Sequence, residues 1–286
     1  MSAALVEKAP AKINLTLHVL GRRADGYHQL ESLVAFADLA DALTLQPGGD
    51  AALEIIGPFA PACGPVADNL VHKALAALRA RVAELNAGRF LLKKNIPVAA
   101  GLGGGSADAA AALRLLARSN GLVPGDARLA AAALAVGADV PVCLEPHARI
   151  MRGVGEELSA PLDLPPLAGL LVNPCVALAT RDVFAMFAGS PGGKTSLAGV
   201  PREGGALFEW LGQHGNDLTP SAIACVPVIA DVLSALSALP GARLARMSGS
   251  GPTCFALFGS HEEAAAAAQR LKAERKDWWV APATIG

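Results

Sequence analysis

Pro97-Val-Ala-Ala-Gly-Leu-Gly-Gly-Gly-Ser-Ala-Asp-Ala-Ala-Ala-Ala-Leu113 runs a cluster of glycines straight into an alanine-rich helical pattern. Glycine has no Cβ, so Gly101, Gly103, Gly104 and Gly105 let the backbone take positive φ and let an anion approach its amides closely. The helix that follows adds free N–H groups and the positive end of its dipole. The stretch reads as a phosphate cradle. Two other glycine signatures do not fit. The phosphate-loop motif needs a lysine before its serine, and here Ser106 follows Gly105 directly; a dinucleotide fingerprint needs its third glycine where Ser106 stands. A plain turn is the remaining alternative. Four glycines in five residues exceed what a turn needs, because each ordered glycine loses more backbone entropy than alanine would.

Upstream, a strand at 89–93 delivers the chain to Lys94-Asn-Ile-Pro97. Asp68-Asn69-Leu70 opens a helix, with Asp68 or Asn69 as N-cap and Val71, Ala74, Leu75 and Leu78 at helical spacing. Strand patterns precede it at 52–56 and over 29–46, the latter broken by Asp38 and Asp41. Residues 10–20 alternate strictly, with Ile13, Leu15, Leu17 and Val19 on one face and Lys12, Asn14, Thr16 and His18 on the other, which predicts a half-buried strand. Solvation accounts for Thr16 and His18, whereas Lys12 and Asn14 stand beside Pro10 at the strand's start, where a lysine can be aimed at a site. Tyr27, the single tyrosine, and His28 follow the turn signal Asp25-Gly26 and are presented from a loop.

Downstream, 107–117 is a helix closed by Asn120-Gly121, and another runs from an Asp126 cap to Gly137. Asp139 then lies between two apolar runs, with Val140 expected to be extended before Pro141. An isolated acid there is unfavourable unless paired or functional, so a turn or capping role and a catalytic carboxylate are both open. A proline-rich run at 161–166 sets a domain boundary near residue 158, giving domains 1–158 and 159–286. The second half offers a buried strand at 167–172, a Pro/Gly-rich insert at 188–205, helices near 205–212, 220–224 and 226–238, a second glycine pair at Gly249 and Gly251, and a strand–helix–strand ending.

A chain of 286 residues holds one large domain or two ordinary ones. Its 24 basic and 25 acidic residues give no electrostatic case for nucleic acid or an anionic membrane, so an anionic ligand must be met by local groups. No run of about 18 apolar residues is free of charge or glycine. With no secretory or transit pattern at the N-terminus, a soluble cytoplasmic protein is expected. Five scattered cysteines with no Cys-x-x-Cys pair read as reduced, mostly buried thiols.

Eight ordered stretches resemble the GHMP kinase superfamily: Ala9-Pro-Ala-Lys-Ile-Asn-Leu15, Arg23-Ala-Asp-Gly-Tyr-His28, Asp38-Leu-Ala-Asp41, Asp68-Asn-Leu70, Gly101-Leu-Gly-Gly-Gly-Ser106, Gly137-Ala-Asp-Val-Pro141, Gly153-Val-Gly-Glu156 and Ser248-Gly-Ser-Gly251. They span nearly the whole chain. The resemblance implies an α+β, two-domain fold, with an N-terminal domain like domain 2 of ribosomal protein S5 and a ferredoxin-like α/β sandwich at the C-terminus. It implies ATP-dependent phosphorylation, with Mg2+, of the 2-hydroxyl of a diphosphocytidyl sugar alcohol in non-mevalonate isoprenoid synthesis, by a monomer or homodimer. By the family's pattern Lys12 and Asp139 flank the acceptor hydroxyl, Asp139 taking its proton. A carboxylate of reference pKa about 3.9 is a weak base toward an alcohol, so its contribution comes late and mainly through orientation.

The same resemblance matches Tyr27, His28 and Phe184 to the grip on the cytosine, and Asn14 and Thr180 to other substrate positions. On the nucleotide side it matches Asn69, Lys94, Pro97, Val98, Ala99, Ala100, Gly101, Leu102, Gly103, Gly104, Gly105, Ser106 and Ala107. Ser106 could add a hydroxyl to phosphate or magnesium. Two departures stand out: Val98-Ala-Ala replaces an upstream glycine, and Ala107-Asp108 replaces Ser-Asp or Ser-Asn, removing one hydroxyl. Nothing carries over to the insert. Alternatives are a homoserine- or mevalonate-type kinase, against which the aromatic grip argues, and a non-catalytic regulator, against which Lys12 with Asp139 argues.

Overall fold

The computed structural model describes residues 3–188 and 197–286; residues 189–196, in the insert expected at 188–205, lie outside the described residues. In chain order the strands are β1 (Leu5–Asn14), β2 (His18–Arg22), β3 (His28–Pro47), β4 (Ala52–Ile56), β5 (Gly88–Lys93), β6 (Arg149–Gly153), β7 (Glu157–Leu158), β8 (Leu167–Asn173), β9 (Leu244–Met247), β10 (Cys254–Phe258) and β11 (Trp279–Ile285). The helices are α1 (Leu70–Arg79), α2 (Gly104–Ser119), α3 (Ala127–Val136), α4 (Val140–Leu144), α5 (Thr180–Ala185), α6 (Gly204–Gly212), α7 (Thr219–Cys225), α8 (Val228–Ser237) and α9 (His261–Glu274).

The chain divides into two compact units. The first takes the segment up to Lys12 with Leu39–Val98 and Gly103–Pro146; the second takes Ile13–Asp38, Ala99–Leu102 and the described residues of His147–Gly286. This division is interleaved in sequence: β2 and the start of β3 pair with each other, and that part of β3 also pairs with β6.

In the first unit, the end of β3 pairs antiparallel with β5, from Ala42 opposite Lys93 to Pro47 opposite Gly88, and β4 joins β5 in parallel. Helix α1 packs on α2 and α3, and α2 packs on α4. Caps set two of these helices: Asn69 accepts from Val71 N at 2.9 Å and Asp126 from Arg128 N at 2.9 Å, each satisfying an otherwise unpaired amide. Helix α2 buries Ala107, Ala109 to Ala112, Leu113, Leu115 and Leu116. Its alanines lose no side-chain entropy and let neighbours approach on several sides, while each buried leucine contributes about 1.5–3 kcal/mol.

The second unit holds an antiparallel run in the order β11, β8, β10, β9, with Trp279 opposite Asn173 and Cys254 opposite both Val172 and Met247. Strand β8 is buried along its whole length, as its apolar sequence requires, under α9, while α8 covers β9 and β10.

Three local expectations are corrected. The alternating stretch 10–20 forms two strands, and Lys12, Asn14, Thr16 and His18 are buried like the apolar face, because each finds a protein partner. The pattern over 29–46 is one strand, β3, that Asp38 and Asp41 do not break. Val140 is helical: Pro141 lies in the first turn of α4, where its missing N–H would be unpaired anyway.

Candidate active site

In the first unit, Lys12 near the end of β1 donates from Nζ to Asp139 Oδ1 at 2.8 Å. Asp139 stands at the N-cap of α4 yet its side chain caps no amide, so its carboxylate serves Lys12 and the capping reading fails. The helix after the glycines starts earlier than its apolar spacing suggests. Gly103 takes the left-handed conformation at φ 61°, and Gly104, Gly105 and Ser106 already form the first turn of α2. Their N–H groups have no intrahelical acceptors and add to the positive helix end, the arrangement an anion needs. A Cβ on Gly103 would stand 3.2 Å from Lys12 Cβ and 3.3 Å from Lys12 Cε. The missing side chain is what lets the helix start rest against Lys12.

Beneath Gly104 lies a buried triad. Lys94 donates from Nζ to Asp41 Oδ2 and, at 2.7 Å, to Asp108 Oδ2. Asp41 Oδ1 also accepts from the amides of Asn95 and Ile96, fastening the residues that lead into Pro97. Lys94 therefore supports the glycine segment from below; its ammonium is committed to two carboxyl groups. Burial opposes its charge, but Asp108 and Asp41 outweigh that and lift it above the usual lysine range. Burial, reinforced by Asp41 and only partly offset by Lys94, pushes Asp108 up to about 7. Three donors converge on Asp41, leaving Asp108, whose Oδ1 has no partner among the described residues, as the carboxyl that takes a proton. Asn69 is half-buried and uses Oδ1 for its cap. Pro97 and Ala107 are buried, so a hydroxyl at 107 would face the interior, while Val98 and Gly105 are exposed and Ser106 is half-buried.

Ala99 to Leu102 belong to the second unit. Ala99 has φ 51°, Ala100 O accepts from Thr253 N at 3.2 Å, and Leu102 is buried as an anchor. At Gly101 a Cβ would meet Ser248 O at 2.5 Å and Gly251 O at 2.7 Å, so the two glycine segments interlock backbone to backbone. Ser248 Oγ accepts from Asn14 N and donates to Gly101 O. Ser32 Oγ donates to Thr16 O and so can only accept from Asn14 Nδ2, at 2.7 Å. That leaves Asn14 Oδ1 buried and unpartnered among the described residues, an acceptor waiting for a donor.

Also in the second unit, His28 at the start of β3 stacks on Phe184 of α5, with centroids 4.9 Å apart at 24°, and Phe187 meets it edge-on at 6.0 Å. Burial, helped by the Arg22 charge, lowers the His28 pKa. Tyr27 is 65% exposed, held by a turn in which its amide donates to Asp25 Oδ1. Thr180 Oγ1 lies 2.9 Å from Ser250 Oγ, tying α5 to the second glycine pair. Sequence reasoning assigned no role to Asp41, Asp108, Ser248 or Arg114. The signal for three of them was a charge inside an apolar pattern, which must find a partner when buried. Ser248 carried none beyond its glycine neighbours.

Among the described residues no three metal-ligating side chains gather in one place, and no helix is long and apolar enough to cross a membrane. The GHMP kinases N-terminal domain model matches residues 69–145, and the GHMP kinases C-terminal model matches 198–277. A relative from Rhodopseudomonas palustris (strain BisB5), a 4-diphosphocytidyl-2-C-methyl-D-erythritol kinase, is 54% identical, covering 97% of each chain. The chain belongs to the GHMP kinase family. A second such GHMP kinase, from Bradyrhizobium diazoefficiens, is 53% identical over 99% of this chain and 98% of its own. The solved structure of a 4-(cytidine 5'-diphospho)-2C-methyl-D-erythritol kinase matches with a TM-score of 0.80 at 33% identity over 99% of both chains. A homoserine kinase from Cytophaga hutchinsonii, 21% identical with a TM-score of 0.74 over 100% of this chain and 96% of its own, shares the GHMP kinase fold.

Proposed function

We propose that this protein transfers the γ-phosphoryl group of ATP to the 2-hydroxyl of 4-diphosphocytidyl-2-C-methyl-D-erythritol, giving the 2-phosphate and ADP. One observation carries the chemistry: the glycine that opens α2 rests on Lys12, and Lys12 holds Asp139. An anion-binding helix start and a carboxylate thus adjoin one lysine within one compact unit.

ATP supplies the phosphoryl group and, through a loose transition state, most of the bond-breaking. The residues of the chain do the rest. Amides of Gly104 to Ser106 bind phosphate oxygens, and the absent side chains at 103 to 105 let them approach. Asp139 accepts the hydroxyl proton as the new P–O bond forms and the β–γ bridge bond breaks, while Lys12 holds the carboxylate in place through its 2.8 Å hydrogen bond. Mg2+ would arrive on the phosphates, with Ser106 Oγ as the candidate protein ligand. Asn14 Oδ1, orphaned and buried, suits a donor on the sugar alcohol. Tyr27, His28 and Phe184 suit a pyrimidine, with Thr180 supporting α5.

Coupled ADP release with 4-diphosphocytidyl-2-C-methyl-D-erythritol, homoserine and mevalonate as acceptors tests the reading. Turnover is expected with the cytidyl acceptor alone. Turnover of homoserine or mevalonate and none of the cytidyl compound would overturn it.

A further inference from the structure

Helix α4 is one turn long, five residues, and a turn of that length does not persist unaided. Its N-cap residue is Asp139, whose side chain gives it no cap. Its other end is held by Arg114. From the middle of α2, Arg114 Nη1 donates to Cys143 O at 2.7 Å and Leu144 O at 3.4 Å, the last carbonyls of α4. Its Nη2 donates to Lys8 O at 2.7 Å and its Nε to Glu7 Oε2 at 3.1 Å, both on β1. Arg118 secures the other Glu7 oxygen at 2.6 Å. Only the planar fork of a guanidinium serves four acceptors on two elements at once.

These two elements are the ones joined by Lys12 and Asp139. On β1, Lys12 lies four residues, or about 13 Å, beyond Lys8. A cation near a helix C-terminus also relieves the unpaired carbonyls there.

We propose that Arg114 is a positioning residue for phosphoryl transfer, bracing β1 against α4 so that Lys12 and Asp139 keep their spacing. This rests on the functional reading above. Arg114 touches neither member of the pair; it acts through the backbone of both elements.

The test is a double-mutant cycle in kcat with Arg114→Ala and Asp139→Asn, alone and together, alongside KM for ATP and thermal unfolding. Arg114→Ala is expected to lower kcat by about 10- to 100-fold, the effect of a misplacement of about 1 Å. It leaves KM for ATP within about twofold, and it has little further effect once Asp139 is Asn. An equal loss in both backgrounds, an unchanged kcat, or a loss appearing mainly in KM for ATP would overturn the proposal. If Arg114→Ala does not fold, Arg114→Lys, which reaches fewer acceptors, is put through the same cycle with an intermediate loss expected. If the wild-type chain phosphorylates no cytidyl acceptor, the functional reading fails separately. Arg114 is then judged by acylation of Lys12 with an amine-reactive reagent, which Arg114→Ala should accelerate relative to Lys94; equal acceleration would refute the brace.

Discussion

Lys12 and Asp139 meet at 2.8 Å with unequal exposure, the lysine side chain 4% accessible and the carboxylate 40%. The cation is a fixed support and the carboxylate is the partner open to a ligand. An Asp139→Asn carbonyl can still accept from Lys12, so the geometry survives and only the base is lost. Turnover is expected to fall by at least about 100-fold, while nucleotide binding persists. Steady-state kinetics with a nucleotide-binding titration decides it, and unchanged turnover would remove Asp139 from the mechanism.

Asp108 ties stability to pH. Burial raises its pKa from 3.8 to about 7, so between these values the folded protein binds a proton that the unfolded chain has released. Stability from this group is therefore present in acid and declines as pH rises through that window. Asp108→Asn keeps an acceptor for Lys94 and carries no charge. The variant should lose the decline and be more stable relative to wild type at pH 8 than at pH 5, as read by urea unfolding. Parallel pH curves for the two proteins would show that Asp108 does not take the proton.

What the sequence disclosed was local. The Asn69 and Asp126 caps each sit beside the helix they start, and strand 52–56 appears where its pattern puts it. The glycine cluster was legible as the approach to a helix, but the start of α2 at Gly104 was not. Gly103 is left-handed, and a Cβ there would crowd the Lys12 side chain, 91 positions away in sequence. Thr16 and His18 looked solvated because their partners are remote; Thr16 Oγ1 accepts from Leu33 N across 17 positions, and His18 meets Asp217 in a different part of the chain. Arg114 had no legible role in the sequence, since only folding brings β1 and the carbonyls of α4 to it. Pro141 misled for Val140 because a proline in a first helical turn and a proline after an extended residue look alike in sequence.

The interlock of the two glycine segments can be weighed against a control within the same chain. Gly101 and Gly121 have nearly the same φ, 72° and 67°, but a Cβ at 121 meets nothing within 4 Å whereas at 101 it strikes two backbone carbonyls. Gly121→Ala should lose about 1–2 kcal/mol from left-handed strain alone. Gly101→Ala carries the same strain plus the clash, and should lose at least about 1 kcal/mol more along with nucleotide affinity. Chemical unfolding of both variants gives the comparison; equal losses would mean that the segment moves aside without resistance.

Under the proposed function, the stacked pair His28 and Phe184 makes acceptor selectivity separable from ATP binding. Aromatic stacking on a base is worth about 1–3 kcal/mol, so Phe184→Ala should raise KM for the cytidyl acceptor by about 5- to 150-fold. KM for ATP should stay where it is, and His28→Ala should act in the same direction. Because burial and Arg22 lower the His28 pKa, its ring is neutral at pH 7 and offers both a donor and an acceptor. Acidification charges it only below the ordinary value of about 6.5, so acceptor affinity should weaken there in wild type and not in His28→Gln. Matched losses for ATP and acceptor in Phe184→Ala, or the same acid limb in both proteins, would assign these rings to a different ligand.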